Sequence, residues 1–94
     1  MEALDLMKFI SVFERDTRLT AWHVSLMYAI IALGLKQGKK CAIRVSRSKI
    51  MALSHITTFP TYHKYFKDLQ YLGYITYRPS YHPGFKSEVD LKAI

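Results

Sequence analysis

The chain has 94 residues, of which 50% are hydrophobic and 14% are aromatic. This length is typical of one domain, and the apolar fraction excludes a chain that remains unfolded. Cys41 is the only cysteine, which excludes an intramolecular disulfide and a cysteine-based zinc site. We interpret it as a small buried hydrophobe in a reducing compartment, and we expect a single domain over residues 1–94.

The longest apolar segment is VSLMYAIIALGL, the twelve residues 24–35. A helix needs about 20 apolar residues to span a bilayer. The segment also begins behind too many charged residues to be a signal peptide. We therefore expect a cytoplasmic protein that does not associate with a membrane.

The net charge of +7 is distributed unevenly along the chain. Residues 1–20 carry three Lys or Arg against four acids, whereas residues 36–86 carry ten against Asp68 alone, a net charge of +9. Residues 87–94 return to a net charge of −1. A basic block of this kind favours a polyanionic partner, with nucleic acid ahead of a membrane surface.

In chain order, the first two predicted elements are helices. The first covers residues 4–14, where apolar side chains recur at three-residue steps. These side chains are Leu4, Met7, Ile10 and Phe13. The second helix covers residues 21–37, with Thr20 as its N-cap and Gly38 as its C-cap. It is apolar around much of its surface, as the central helix of a small domain is. Its main stripe is Trp22, Leu26, Ile30 and Leu33.

The next predicted elements are a short strand and two more helices. The alternating segment CAIRV predicts a strand over residues 41–45. Ser46 is the expected N-cap of a helix of about two turns, RSKIMAL, which stops near Ser54. After a tight turn, SHIT, Thr58 is the expected cap of a helix over residues 58–72. That helix ends at Gly73, because glycine readily adopts the left-handed conformation.

The last predicted element is a β-hairpin. The runs YITYRPSY and FKSEVDL alternate and are separated by HPG, which favours a loop of several residues. The order of helix, helix, strand, helix, turn, helix, strand, loop and strand is typical of a winged helix-turn-helix. The expected fold is therefore α+β and mostly helical, with three to four helices and a small β-hairpin wing.

Apolar spacing supports the helix-turn-helix within this order. Ile50 and Leu53 are expected to face inward from the first helix of the pair, and Ile56 is expected to fill the turn. The inner stripe of the second helix is expected to be Tyr62, Phe66 and Leu69. Two helices with these stripes can share one core at a steep angle.

The opposite face of the 58–72 helix predicts contact with DNA. Thr61 and His63 can meet base edges in a major groove, and Lys64 can donate to guanine. Lys67, one turn further on, is better placed for phosphate. Ordinary solvent-facing residues of an amphipathic helix would show the same pattern, so this alternative stays open.

Two further groups are predicted to contact the DNA backbone. Arg47, Ser48 and Lys49 stand at a helix start, where charge and unpaired amides favour phosphate, although a solvated helix start remains an alternative. In the hairpin the candidates are Arg78, His82 and Lys86, expected along the backbone or in the minor groove, with Arg78 making the main contact. They are interleaved with Tyr77, Tyr81 and Phe85, and the two tyrosines are interpreted as hairpin packing rather than as base-stacking platforms.

The sequence contains no pattern that predicts catalysis, a metal site, a cofactor or a small-molecule ligand. His23, His55, His63 and His82 have no metal-ligand spacing. His23 lies on the long helix and is interpreted as a packed histidine. The few acids are too scattered for a paired-carboxylate site. We expect a protein that is not an enzyme.

Three segments resemble small winged-helix DNA-binding proteins of Bacteroides-type mobile elements. The segments are LTAWHVSLMYAI (19–30), TYHKYFKDLQYLGYI (61–75) and YRPSYHPGFKS (77–87). The resemblance covers most of the chain, and residues 19–26 are its most particular part. It implies a transcriptional regulator or an excisionase-like factor.

Sequence-specific binding of double-stranded DNA is therefore the leading hypothesis, with transcriptional regulation as its purpose. The alternatives are an excisionase-like architectural factor and a winged-helix module that binds an acidic protein. A homodimer through residues 1–14 is a further hypothesis, and packing of that helix onto its own domain is the alternative. The target sequence and any effector stay open.

Overall fold

The computed structural model describes residues 3–82, 84 and 86–92, with side chains from residue 6 onward. Within these residues it contains four helices and one three-stranded antiparallel sheet. This confirms a mostly helical α+β domain. The elements are α1 (Ala3–Arg15), α2 (Ala21–Gln37), β1 (Ile43–Val45), α3 (Arg47–Ser54), α4 (Phe59–Tyr71), β2 (Ile75–Arg78) and β3 (Ser87–Leu91).

Helix α2 is the centre of the fold, as its apolar surface predicts. Its side chains Leu26, Ile30 and Leu33 are buried, and the helix packs against α3, α4 and β1. Trp22, predicted to lie on the same stripe, is instead 45% exposed and stacks on Tyr65 with 6.3 Å between ring centroids. Of the helices that the structure describes, none combines the length and apolar character needed to cross a bilayer.

The inner stripe of α1 differs from the predicted one. Phe9 is fully buried, whereas Met7 is 61% exposed and Ile10 is 37% exposed. Leu6 and Phe13 pack beside Phe9, and the side chain of Leu4 lies outside the described residues. Residues at repeated three-residue steps drift around a helix by about 60° a step, so they cannot all face one core.

The predicted caps occupy their expected positions but make different bonds. The Ser46 hydroxyl accepts from the Lys49 N–H at 3.3 Å, as expected of an N-cap. At Thr20, by contrast, the Nδ1 atom of His23 accepts the backbone N–H at 2.8 Å. The Thr58 hydroxyl donates to the Thr61 hydroxyl at 2.9 Å. The start of α3 thus has the expected bond between a hydroxyl and an amide, whereas the starts of α2 and α4 use a second side chain, His23 or Thr61.

The turn between α3 and α4 is built as the apolar spacing predicts. Ile50 and Ile56 are buried, and Leu53 is half-buried against them. The turn reverses at His55, whose positive φ of 62° is the left-handed conformation. The predicted inner stripe of α4 is confirmed, since its members are all buried: Tyr62, Phe66 and Leu69. Gly73, with a φ of 86°, leads the chain out of α4 into β2.

The sheet has the strand order β1-β3-β2, so β3 is central. Val89 on β3 pairs with Ile43 on β1 and with Tyr77 on β2, and this row faces the helices. The next row faces away from the helices, because side chains alternate along a strand. It consists of Arg44, Glu88 and Arg78.

Cys41 is exposed, so its interpretation as a buried hydrophobe is wrong. The predicted strand over residues 41–45 begins only at Ile43, and Cys41 lies in the irregular segment before it. Ala42, in that segment, has a positive φ of 54°, which breaks the alternation of the strand. Only Ile43 and Val45 of the CAIRV segment face the core.

Candidate nucleic-acid interface

A cleft of about 590 Å³ lies where α3, α4 and the β2–β3 hairpin meet. Arg47 enters its lining from the start of α3, His63 from α4, and Lys86 from the hairpin. We call this opening, with these three residues in its lining, the basic cleft. All three are exposed to solvent. Each was predicted separately as a DNA contact, and the fold brings them to one opening.

The floor of the basic cleft is aromatic. The Tyr62 and Phe66 rings stack with centroids 5.2 Å apart, and Phe66 meets the Tyr77 ring edge-to-face at 5.1 Å. The Tyr77 hydroxyl donates to the Ser87 hydroxyl at 3.3 Å. Burial raises the pKa of Tyr62 to about 12, so its hydroxyl stays protonated at neutral pH. These rings join α4 to the hairpin.

Arg47 is held at the rim by an aromatic ring. Its guanidinium carbon lies 4.3 Å from the centroid of Phe59, the first residue of α4. A cation over a ring face is attracted by the ring quadrupole, and here the contact joins the starts of α3 and α4. Phe59 is itself 54% exposed, so the charge of Arg47 is positioned without being neutralised.

A smaller groove of about 200 Å³ continues the basic surface past β1. Lys86 lines both openings, and the smaller one adds Lys49 and Arg44. Arg44 was not predicted as a site residue. The signal that identifies it is its exposed middle position in a three-residue strand whose neighbours are buried.

Lys64 and Lys67 lie outside the basic cleft, on the outer face of α4. Both are exposed, and the three-residue spacing puts them on one side of the helix with the 89% exposed Tyr71. The Lys64 ammonium is 5.2 Å from the Tyr65 ring centroid, toward the α2 side. Thr61 also lies on that flank, two residues from His63 around the helix. Thr61 and His63 therefore border Lys64 from opposite sides.

Ser48 and Lys49 stand beside Arg47 at the start of α3. The hydroxyls of Ser46 and Ser48 are 3.3 Å apart, and the backbone N–H of Lys49 is bound by the Ser46 hydroxyl. Both predicted residues are exposed. The structure places them next to the basic cleft, with Lys49 directed to the smaller groove.

Arg78 has a different environment from the one expected of a DNA contact. Its guanidinium donates to Asp90 at 2.5 and 3.0 Å and to Glu88 at 3.2 Å. The hydrogen bonds to Asp90 and Glu88 raise the pKa of Arg78. The hydrogen bond from Arg78 in turn lowers the pKa of Asp90. Strand alternation directs Arg78 away from Tyr77 and the basic cleft. Its charge is used within the sheet, which counts against the predicted backbone contact.

The hairpin loop holds the remaining predicted residues. The Nδ1 atom of His82 accepts the Gly84 N–H at 3.2 Å, so its ring braces the loop. Tyr81 is 93% exposed, so its interpretation as hairpin packing is wrong. It lies in the loop between the end of β2 at Arg78 and the start of β3 at Ser87, outside the paired strands. Tyr77 does pack as expected. Phe85 lies outside the described residues.

The titratable groups away from the cleft form structural contacts. His23 is buried, and since its Nδ1 accepts the Thr20 N–H, its Nε2 donates to Asp68 at 3.1 Å. Its ring meets Tyr65 edge-on at 4.8 Å, which confirms the interpretation as a packed histidine. Among the residues that the structure describes, no three His, Cys, Asp or Glu side chains are grouped to hold a metal ion.

Comparisons of the chain with protein-family models, with curated proteins and with solved structures find no match. The resemblance to winged-helix proteins of mobile elements therefore stays a prediction. A function for this chain has to be inferred from the residues that form the cleft and from the faces around it.

Proposed function

We propose that this chain is a winged helix that binds double-stranded DNA with sequence preference, as a transcriptional regulator does. The order α2-β1-α3-α4-β2-β3, with β3 between β1 and β2, supports this proposal. In it, α3 and α4 are the helix-turn-helix, and the β2–β3 hairpin is the wing. Helix α1 precedes this unit.

One observation carries the proposal: the convergence of Arg47, His63 and Lys86 from three separate elements on one cleft. Phosphate contacts come from basic and polar side chains, and here three separate elements supply them. The smaller groove, with Lys49 and Arg44, extends the same surface. Basic side chains grouped on one surface favour a polyanionic partner.

The exposed face of α4 is proposed to enter the major groove. The helix has 13 residues, which at the usual rise gives a length of about 20 Å. A major groove about 12 Å wide admits such a helix. Lys64 and Thr61 then face base edges, Lys67 meets phosphate, and the basic cleft follows the backbone. We leave Arg78 out of this interface because its charge is paired with two carboxylates.

The proposal is tested by the affinity of the full chain for duplex DNA, measured by fluorescence anisotropy over a range of salt concentrations. For about 6–8 phosphate contacts, affinity falls as about the fifth to seventh power of salt concentration. Arg47→Gln should lower the affinity several-fold and flatten the salt dependence by about one power. Arg15→Gln, an exposed residue of α1, removes the same charge and should leave affinity nearly unchanged.

Two results would contradict the proposal. Equal losses for Arg47→Gln and Arg15→Gln would show that net charge alone attracts DNA. Absence of DNA binding at low salt, together with capture of an acidic protein, would identify a protein-interaction module instead. Selection of bound sites from a random duplex pool then measures sequence preference.

A further inference from the structure

A second surface of the molecule is apolar and has no role in the proposed DNA contact. A groove of about 470 Å³ runs between α1 and α2. Three α2 side chains that line it are exposed, Val24 by 41%, Tyr28 by 61% and Leu35 by 46%. Ile10 lines it from α1, and the exposed Met7 lies one turn away on the same face. We call this surface the apolar groove.

The apolar groove faces away from the helix-turn-helix. The exposed stripe of α2 lies on the opposite side of that helix from Leu26, Ile30 and Leu33, the side chains of the core. Helices α3 and α4 pack on the core side. A partner in the groove would therefore leave the basic cleft open.

The charges around the apolar groove select its partner. Residues 21–35, which form its α2 wall, contain no Lys, Arg, Asp or Glu. A polyanion therefore finds no cation on this wall. A second copy of the chain, in contrast, is repelled from the basic block by like charge and meets no such repulsion here.

The ends of the apolar groove carry opposite charges. Glu14 lies one turn beyond Ile10 on α1, and Lys36 lies one turn beyond Ala32 on α2. The five-residue connection 16–20 places the end of α1 beside the start of α2. Glu14 is therefore at the end of the groove where α2 begins, and Lys36 is at the end where α2 finishes.

We infer that the apolar groove is the interface of a two-fold symmetric dimer of this chain. The two-fold axis lies in the plane of the interface, at right angles to the length of the groove. Rotation about it exchanges the two ends of the groove, so Glu14 of each copy meets Lys36 of the other. An interface of this kind is self-complementary, as two-fold dimers require. The apolar side chains form its centre and the charge pairs form its rim. Because the apolar groove faces away from the basic cleft of each copy, the two basic clefts point in opposite directions and each remains open to a duplex of its own.

Sedimentation equilibrium of the full chain over a wide concentration range tests this inference. We expect a reversible monomer–dimer equilibrium. Tyr28→Glu should raise the dimer dissociation constant by about tenfold or more, because it buries a charge at the centre of the interface. Tyr71→Glu, the same change at an exposed position on α4, should leave the constant unchanged. Circular dichroism of both variants shows whether they remain folded.

Charge reversal tests the two-fold arrangement. Glu14→Lys and Lys36→Glu should each weaken the dimer by a few-fold, and the double variant should restore it. A chain that stays monomeric at every concentration would overturn the dimer, and equal effects of Tyr28→Glu and Tyr71→Glu would overturn the groove. A double variant no better than the single ones would overturn the register. Binding of monomeric Tyr28→Glu to duplex DNA shows separately whether the proposed DNA contact holds.

Discussion

The two faces of this molecule differ in what they expose. On the side of α3 and α4, the basic cleft groups Arg47, His63 and Lys86 over an aromatic floor. On the opposite side, the α2 wall of the apolar groove is uncharged over residues 21–35. The domain has one hydrophobic core, which both faces share. The two faces therefore differ only in the residues that they expose. Here the exposed residues are basic on one face and apolar on the other.

A comparison of two arginines shows how the basic face is defined. Arg47 lies over Phe59 at 4.3 Å, a contact that positions its charge and leaves it available. Arg78 lies opposite Glu88 and diagonal to Asp90, and it donates to both carboxylates. Both residues are exposed and basic. Only the second is paired with carboxylates, so exposure and sign by themselves do not show which charge is available.

The largest expected effect comes from the floor of the basic cleft. Phe66→Ala removes a buried ring that contacts both Tyr62 and Tyr77, and it should lower the free energy of unfolding by about 3–5 kcal/mol. Phe59→Ala, on the same helix and 54% exposed, should cost about 1 kcal/mol or less. Urea unfolding measures both. Similar losses would mean that the aromatic floor does not support this face.

The next effect separates the two lysines on the outer face of α4. Lys64→Ala should weaken binding by about 1–3 kcal/mol at the preferred site and reduce the preference itself, because the proposed base contact is lost. Lys67→Ala should weaken all sequences alike and lower the salt exponent by about one. Anisotropy with preferred and scrambled duplexes distinguishes them. Equal losses on every duplex would remove the distinction between base and phosphate contacts.

The smallest expected effect concerns the contact of Asp16 with Arg18 and Tyr74, which lies outside both the basic cleft and the apolar groove. Asp16 accepts hydrogen bonds from the Arg18 guanidinium and, at 2.7 Å, from the Tyr74 hydroxyl, and these bonds hold its pKa well below the ordinary value near 3.8. A lowered carboxyl pKa stabilises the folded state above that value, and this stabilisation is lost as the pH falls further. The free energy of unfolding should therefore decrease more steeply below about pH 4 for the native chain than for Asp16→Asn.

Urea unfolding at a series of pH values measures this difference. Thr17→Ala, an exposed neighbour without a titrating group, is the control and should follow the native chain. If the free energy of unfolding changes with pH in the same way for the native chain and for Asp16→Asn, the lowered pKa of Asp16 does not contribute to acid unfolding.

Much of the local structure could be predicted because its signals are local. Ser46 lies directly before the start of α3, and Gly73 lies two residues after the end of α4. The inner stripe of α4 follows from four- and three-residue steps, which match a helical turn. The stripe of α1 could not be predicted from three-residue steps, because the burial of Phe9 depends on how α1 lies on α2.

The residues of the basic cleft could be predicted from the sequence, but their arrangement around one opening could not. Arg47, His63 and Lys86 were each identified from charge and position, but their shared cleft depends on the packing of Phe66 against Tyr77. Arg44 was missed because a three-residue strand carries little pattern. Cys41 and Tyr81 were misjudged since both lie just outside a strand, where alternation no longer applies.

The sequence by itself determined the order of helices and strands, their caps and the separation of a basic block from a nearly neutral start. These properties depend on residues within a few positions of one another. Only the tertiary structure decided which cations are available, because pairing depends on strand register. Register sets Arg78 opposite Glu88 and near Asp90, residues ten and twelve positions away in the chain, whereas the approach of α3 to α4 sets Arg47 over Phe59 at the cleft.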